Sequence, residues 1–463
     1  GREDNLWIRK SQKWALVAWL FLSLGLILGS RWAYDVLGWG GYWGWDPVEV
    51  AALMPWLTST AYLHSSLLQE KRGIFKQWSA ALIILTFCLV ILGTFMTRSG
   101  LLSSVHAFSA SAIGPFFFVF TAVMLLVSVI LLGYRWSSLK DSSEIKSYFS
   151  RESLFLFNNL IFVAIFLICL LGVLFPILSE LVTGQQINVG PQYYKNATGP
   201  LFALLLGLMG IVPLSAWSAS SGKKLGRMLW KPLALSLLIP LAALLLNVRD
   251  IGAIIAFWMV GVSILVTLFD YLRSASINAA ANQQSVFKSG WKLIFRNRRK
   301  YGAYMIHISI ALMGLGIIGI EFFQTQTQVK LKQNESISFS GYTLTYRDLV
   351  IDHSQEDREI ARSVIEGITP NGMSFELNPE RDYYYVAQQS ITVPGLYSNP
   401  VDDLYITLID WLPVTSEGAT FKIYRNPLVF WLWVGSIVLV LGTLLALWPR
   451  RTHKTLATQE ERP

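Results

Sequence analysis

Ten apolar runs recur along the chain, each long enough to cross roughly 30 Å of hydrocarbon as a helix. They cover approximately residues 12–31, 48–68, 77–97, 112–134, 153–175, 199–218, 231–247, 251–271, 302–321 and 427–448. Between the last two the pattern changes. Residues 322–424 are polar, with period-two alternation in Ser336-Ile337-Ser338-Phe339 and Thr343-Leu344-Thr345-Tyr346 and a turn at Pro370-Asn371-Gly372. Such alternation bounded by turn residues predicts strands. The expectation is an all-α polytopic membrane protein of about ten transmembrane helices with one small β-rich domain. Residues 1–321 form its transmembrane part, 322–424 the β-rich domain, and 425–463 a last helix and tail.

Composition supports a bilayer as solvent. Of 463 residues 53% are hydrophobic and only 14% charged, against about a quarter charged in soluble domains. The net charge of +9 follows from the excess of Lys and Arg in cytoplasmic loops of membrane proteins. No basic stripe interleaved with aromatics points to nucleic acid. Placing the N-terminus in the cytoplasm puts Lys71, Arg72, Lys76, the stretches Arg135 to Arg151, Lys223 to Lys231 and Arg273 to Lys300, and the tail on one side. Only Arg31, Arg98, Lys195 and Arg249 then fall in short outer loops. Both termini are expected inside and the β-rich domain outside. Cys88 and Cys169 sit in apolar runs and form neither a disulfide framework nor a C-x-x-C pair. A c-type cytochrome would carry C-x-x-C-H, so any haem here is bound without thioethers. The chain begins at Gly1, close to a span and without a signal-peptide pattern, which suggests a piece of a longer protein.

The first outer loop reads Trp39-Gly40-Gly41-Tyr42-Trp43-Gly44-Trp45-Asp46-Pro47-Val48-Glu49. Trp39, Trp43 and Trp45 suit an aromatic belt at the membrane interface. They equally suit a flat shelf for a planar ligand, because the glycines let backbone and rings approach a face as large as a porphyrin. Asp46 at N-cap, Pro47 at N1 and Glu49 at N3 match a helix start with a reciprocal cap. That role competes with catalysis at Asp46.

Three of the five histidines are placed suggestively. His64 precedes Glu70 by six residues, and His307 follows Lys300 by seven, so both lie about 10 Å into the membrane from the cytoplasmic boundary. Ionisable residues in spans are costly enough to raise a functional hypothesis. Two at one depth suit axial ligation of a haem iron, a proton relay, or hydrogen-bonded core positions. His106 lies in the second outer loop, on the side of the tryptophans, as an axial ligand or a surface imidazole. His353 and His453 read as solvated.

Together these residues resemble the haem-handling superfamily marked by a W-G-x-x-W-x-W-D segment, and within it the CcmF family of cytochrome c maturation proteins. The narrower match runs through Met54-Pro55-Trp56-Leu57, Leu63-His64-Ser65, Gly93-Thr94-Phe95, Arg98-Ser99-Gly100 and Ser104-Val105-His106-Ala107-Phe108. His307, the outer domain and Asn426-Pro427-Leu428 continue it, so that it covers essentially the whole chain. The resemblance implies a bacterial inner-membrane protein in which His64 and His307 ligate a permanent haem b. That haem would donate electrons to a second, external haem on the Trp39, Trp43, Trp45 and Asp46 surface, with His106 as one of its axial ligands. It further implies delivery of that haem by the chaperone CcmE, presentation of apocytochrome c by CcmH, a quinol reductant, and thioether formation at C-x-x-C-H. The chain would then be a haem lyase-type (holocytochrome c synthase) subunit active within a complex.

Tyr42 and Gly44 stand where that family commonly has Trp and Phe, and Val50 where it has Asn. The family's other external histidine lies before the tryptophan segment, in a region this chain lacks, so a fragment or a partner chain would account for half of the external pair. Two rivals remain from sequence: a haem carrier without ligase activity, and a proton or ion transporter using His64 and His307. Among non-chemical readings, the β-rich domain is a scaffold or docking surface.

Overall fold

The computed structural model describes residues 5–99, 113–141, 147, 150–215, 222–410 and 418–449. Twelve described helices and ten strands follow one another, all strands falling between the last two helices. The helices are α1 (Asn5–Val36), α2 (Pro47–Arg72), α3 (Lys76–Ser99), α4 (Ile113–Arg135), α5 (Arg151–Thr183) and α6 (Pro191–Ile211). They continue as α7 (Gly222–Ser236), α8 (Leu238–Leu245), α9 (Ile251–Ala281), α10 (Val286–Arg296), α11 (Arg298–Phe323) and α12 (Val429–Leu447).

Among the described residues nine helical stretches are long and apolar enough to cross a membrane. The tenth expected span, α2, is long enough at 26 residues but carries Thr58, Ser59, Thr60, His64, Ser65 and Ser66, which lower its apolarity. It tolerates them because it is central. Val50, Met54, Leu57 and Ala61 pack with Leu82, Leu89 and Met96 of α3, Ile165, Phe166 and Cys169 of α5, and Tyr194 of α6 in one core. Its hydroxyls find partners inside the protein, Thr60 at the Trp56 carbonyl (2.7 Å) and Thr58 at Thr86 of α3 (2.8 Å), as a bilayer requires.

Three expected boundaries move. The run 231–247 is two helices, because Pro240 has no N–H to give the Ser236 carbonyl and α7 breaks there. The sixth span starts at Pro191 rather than 199, so Lys195 lies within a helix and not in a loop. Arg31 and Arg98 likewise lie within α1 and α3. Finally, the basic stretch Arg273 to Lys300 is helical: α9 runs on to Ala281, and α10 follows before α11 begins at Arg298.

The strands form two antiparallel sheets. One contains β1 (Thr325–Leu331), β10 (Ala419–Pro427), β9 (Asp402–Asp410) and β8 (Gly395–Ser398), in that order. The other orders β2 (Ser336–Phe339), β3 (Tyr342–Asp352), β4 (Arg358–Ile368), β6 (Glu380–Tyr384) and β7 (Gln389–Val393), with β5 (Ser374–Leu377) also on β4. The alternating segments seen in the sequence are the β2–β3 hairpin, with Ile337 opposite Leu344. Leu344, Tyr346 and Ile365 from this sheet bury against Leu404, Ile406, Phe421 and Ile423 from the other, the face-to-face packing of two half-apolar sheets.

Single residues join this domain to the membrane: Gln324 between α11 and β1, and Leu428 between β10 and α12. Below it α11 and α12 are in intimate contact. A side chain at Gly302 would come within 2.7 Å of the Ala446 nitrogen and the Gly442 oxygen, and one at Gly435 within 2.7 Å of the Ser309 oxygen. Small residues bring the two backbones together as in other membrane helix pairs.

Candidate functional site

An ion-pair network links α2 with α11. The Glu70 carboxylate accepts from Arg299 of α11 at 3.0 Å and from Arg9 of α1 at 2.9 Å. From that ion pair His64 lies six residues along α2 and His307 eight along α11, about 9 and 12 Å at the α-helical rise. The two imidazoles therefore share a depth. Both are half-buried and line one cavity of 2020 Å³, within electrostatic reach of each other. That space exceeds the roughly 300–1,000 Å³ of ordinary small-molecule sites.

The surroundings of the two rings differ. His64 lies near Phe155 and Phe162, at centroid distances of 5.5 and 6.1 Å, and its Nδ1 is 3.1 Å from the Asn158 amide. A half-turn of that amide presents its oxygen to Nδ1–H, which leaves the Nε2 lone pair for a metal. His307 Nδ1 is buried and has no hydrogen-bond partner among the described residues, and an orphaned buried nitrogen calls for a ligand to explain it. Among the described residues no group of three or more His, Cys, Asp or Glu could hold a bare ion. Two imidazoles facing one wide space suit instead an iron whose remaining ligands belong to a macrocycle. The residues present fit haem.

The opposite end of the cavity is lined by Tyr42, Trp43 and Trp45, with the Lys195–Glu321 ion pair (2.8 Å) beside them. Trp45 adopts the left-handed backbone region, φ 56°. Its ring stacks on Tyr194, 5.1 Å away and inclined by 4°, and Trp43 meets it edge-on at 6.0 Å. Trp39 lies apart, outside the cavity lining and 38% exposed. Its ring covers Gly44, where a side chain would come within 2.5 Å of it. The expected shelf is thus two surfaces, one facing inward and one outward. Asp46 caps α2: its carboxylate accepts from the Val48 N–H at 2.8 Å, while Glu49 accepts from the N–H groups of Gly44 and Asp46 at 2.9 and 3.1 Å. The capping box read from the sequence is present.

The β-rich domain grips this loop through a buried polar network that sequence reasoning missed. The Gly40 carbonyl accepts from Asn426 at 3.0 Å and from Gln324 at 2.7 Å. Asn426 also donates to the Tyr34 hydroxyl (3.0 Å), which donates in turn to Asp403 (3.1 Å). Ser398 donates to the other Asp403 oxygen at 2.5 Å. Burial pushes the Asp403 carboxyl up to about 6, against the hydrogen bonds that favour its ionised form. Gly40 has φ +74°, and a side chain there would meet the Tyr424 ring at 2.5 Å.

The structure thus brings His64, His307, Trp43 and Trp45 to one cavity, leaves Trp39 outside it and gives Asp46 a capping bond. His106 and His453 lie outside the described residues. His353 is exposed beside Glu359. Tyr194, Asn158 and Asn426 were not singled out for chemistry; Gly190-Pro191, an N-cap and N1 pair, was the available signal for the helix that carries Tyr194.

Comparison with known proteins follows these features. Residues 1–103 match the family described as "Cytochrome C assembly protein". The chain is 32% identical over 462 residues to "Cytochrome c-type biogenesis protein CcmF" of Pseudomonas aeruginosa, covering 99% of this chain and 68% of that one. It is 32% identical to the CcmF of Escherichia coli K12, covering 100% of this chain and 69% of the relative. The solved structure of "Cytochrome c Heme Lyase CcmF" superposes with a TM-score of 0.78 at 28% identity, over 97% of this chain and 67% of that one. A polytopic membrane protein with these helices, this inserted β-rich domain and this extent of identity belongs to the CcmF family of cytochrome c-type biogenesis proteins.

Proposed function

We propose that this chain attaches haem to apocytochrome c, holding an intramembrane haem b between His64 and His307 and a second haem at the external tryptophan surface. The observation that carries the reading is the shared cavity: imidazoles from two ion-paired helices at one end, Trp43 and Trp45 at the other. A haem b held there would supply one-electron chemistry for keeping the iron of the transferred haem reduced, with a quinol as the source of electrons. His64 and His307 hold and orient, with Asn158 fixing the His64 ring. Trp43 and Trp45 position a planar substrate by stacking and burial, and Trp39 extends that surface outward. His106 is the external axial ligand in this reading; it fixes the substrate so that incoming thiols meet the vinyl groups in one orientation, a positioning effect. Asp46 serves by holding the loop on α2.

The second haem arrives from CcmE, and the apocytochrome is presented with CcmH. The membrane is the bacterial inner membrane, with the β-rich domain and tryptophan loop periplasmic. Arg9, Lys71, Arg72 and the basic residues around α10 and the start of α11 lie at the other side, as the positive-inside rule requires. The test is spectroscopic. His64→Ala and His307→Ala should each abolish b-type absorption in the purified protein, which for a proton or ion transporter would be absent from the start. Full, unshifted absorption in both variants rejects the ligand assignment.

A further inference from the structure

Helix α10 carries three parallel stripes. Phe287, Trp291 and Phe295 recur every four residues, and so do Lys288, Lys292 and Arg296 one position later. Ser289 and Leu293, again one position on, are buried together with Gly290. At about 100° per residue the three stripes divide the circumference between them. The buried one locks α10 onto α9: the Ser289 hydroxyl donates to the Ala275 carbonyl at 2.9 Å and accepts from Asn278 at 2.7 Å. Leu293 packs with Ala275 and Tyr301 of α11. Among the described residues the aromatic stripe is largely uncovered, Phe287 being 85%, Trp291 59% and Phe295 46% exposed, with the Arg298 guanidinium 5.7 Å from the Phe295 ring. Between Gln284 and Lys300 there are six basic residues and no acidic one.

We propose that α10 is a lipid-surface helix, its aromatic stripe entering the headgroup–acyl boundary of the leaflet opposite the β-rich domain and its basic stripe binding anionic phospholipid. Position selects this occupant. α10 is tied at both ends to membrane spans, α9 and α11, so it lies at the level where headgroups begin. An amphipathic helix with Trp and Phe on one face and Lys and Arg beside it has the composition of such interfacial elements. Arg299 and Lys300 pair with Glu70 and Asp270, and the other four basic residues, Lys288, Lys292, Arg296 and Arg298, complement a negatively charged leaflet. A protein partner would leave the aromatic stripe shielded from lipid, which makes the two occupants distinguishable. The helix lies immediately before the span that carries His307, but the proposal stands without any haem assignment.

The experiment uses the full chain in nanodiscs of phosphatidylcholine alone or mixed with phosphatidylglycerol. An environment-sensitive fluorophore is attached in Phe287→Cys and, separately, in Trp291→Cys; Cys88 and Cys169 are buried and unreactive by comparison. Brominated lipids should quench both labels, and aqueous iodide should quench them less in nanodiscs than in detergent. Mass spectrometry of retained lipid should show enrichment of phosphatidylglycerol, lost by roughly fivefold for each charge removed in Lys288→Gln, Lys292→Gln and Arg296→Gln. Labels reached by iodide equally in every medium would overturn the proposal. So would labels shielded from iodide and lipid alike, which is the signature of a protein cover, or lipid retention that ignores the three Gln variants.

Discussion

The two ends of the cavity are held by different means. At the histidine end, transmembrane helices position both rings, with Glu70 bridging Arg9 and Arg299 and glycine contacts fixing α11 on α12. At the tryptophan end, the loop after α1 is held from outside, by Asn426 and Gln324 at the edges of the inserted domain. The helical end is set by packing that any single polar change perturbs little. The loop end depends on a few buried hydrogen bonds that converge on the Gly40 carbonyl. The inserted domain can therefore decide whether an aromatic surface is correctly formed.

The strongest test of this contrast is Asn426→Ala. It removes one of two donors to the Gly40 carbonyl and the donor to the Tyr34 hydroxyl in a buried network, at a cost of about 1–3 kcal/mol. Cytochrome c maturation should fail while intramembrane haem absorption survives. Loss of both signals together would show that the two ends are not independent.

Asn158→Leu acts at the other end and should leave maturation geometry outside untouched. Loss of an outer-shell partner typically weakens metal-site binding by about 10–100-fold, so haem retention should fall. The reduction potential of what remains should rise, because the His64 ring becomes a weaker donor, and Asn158→Asp should move it the opposite way. Unchanged potentials in both variants would remove Asn158 from the site.

A smaller effect concerns pH and the clamp. The Asp403 carboxyl sits at about 6 in the folded protein, above the usual carboxylate range, so the folded chain binds this proton more tightly than the unfolded one. Its contribution is fully present below about pH 4 and is lost as pH rises through 6, a change of about 2 kcal/mol. Thermal unfolding of the β-rich domain, followed in the whole protein, should show this slope between pH 4 and 7. Asp403→Asn should flatten it.

Least is expected of Glu70→Gln. Arg9 and Arg299 are 64% and 51% exposed, and such pairs contribute about 0–1 kcal/mol. Haem absorption should shift little, since glycine packing still fixes α11. A large loss would mean that charge, not packing, sets the depth of His307.

Several of these features were legible in the sequence because their causes are local. Glu70 and Lys300 mark the membrane boundary, so counting from them placed His64 and His307 at one depth. Asp46, Pro47 and Glu49 announce a cap within four positions, and alternation in 336–346 gave the β2–β3 hairpin. What stayed hidden has distant causes. Asn426 reaches Tyr34 across 392 positions, and no periodicity records that pairing. Tyr194 covers Trp45 only because α6 begins at Pro191, earlier than its apolar run. The division of the tryptophans depends on Gly44 admitting the Trp39 ring, a three-dimensional fit. In α10 the basic residues masked an apolar stripe of period four, so a helix read as a loop.

The one-residue joints of the inserted domain have a consequence for biosynthesis. α11 emerges from the ribosome before all ten described strands, and α12 after them. Until β10 is made neither Asn426 nor the completed β1–β10 pairing exists to grip the loop after α1, and until α12 follows it the Gly302 face of α11 has no helix to receive it. Both ends of the cavity are therefore finished late in synthesis, one by the last strand of the inserted domain and the other by the helix that follows it. A chain stopped before β10 keeps His64, His307 and every tryptophan of the loop, yet has neither the α11–α12 pairing nor the Asn426 hydrogen bond to Gly40.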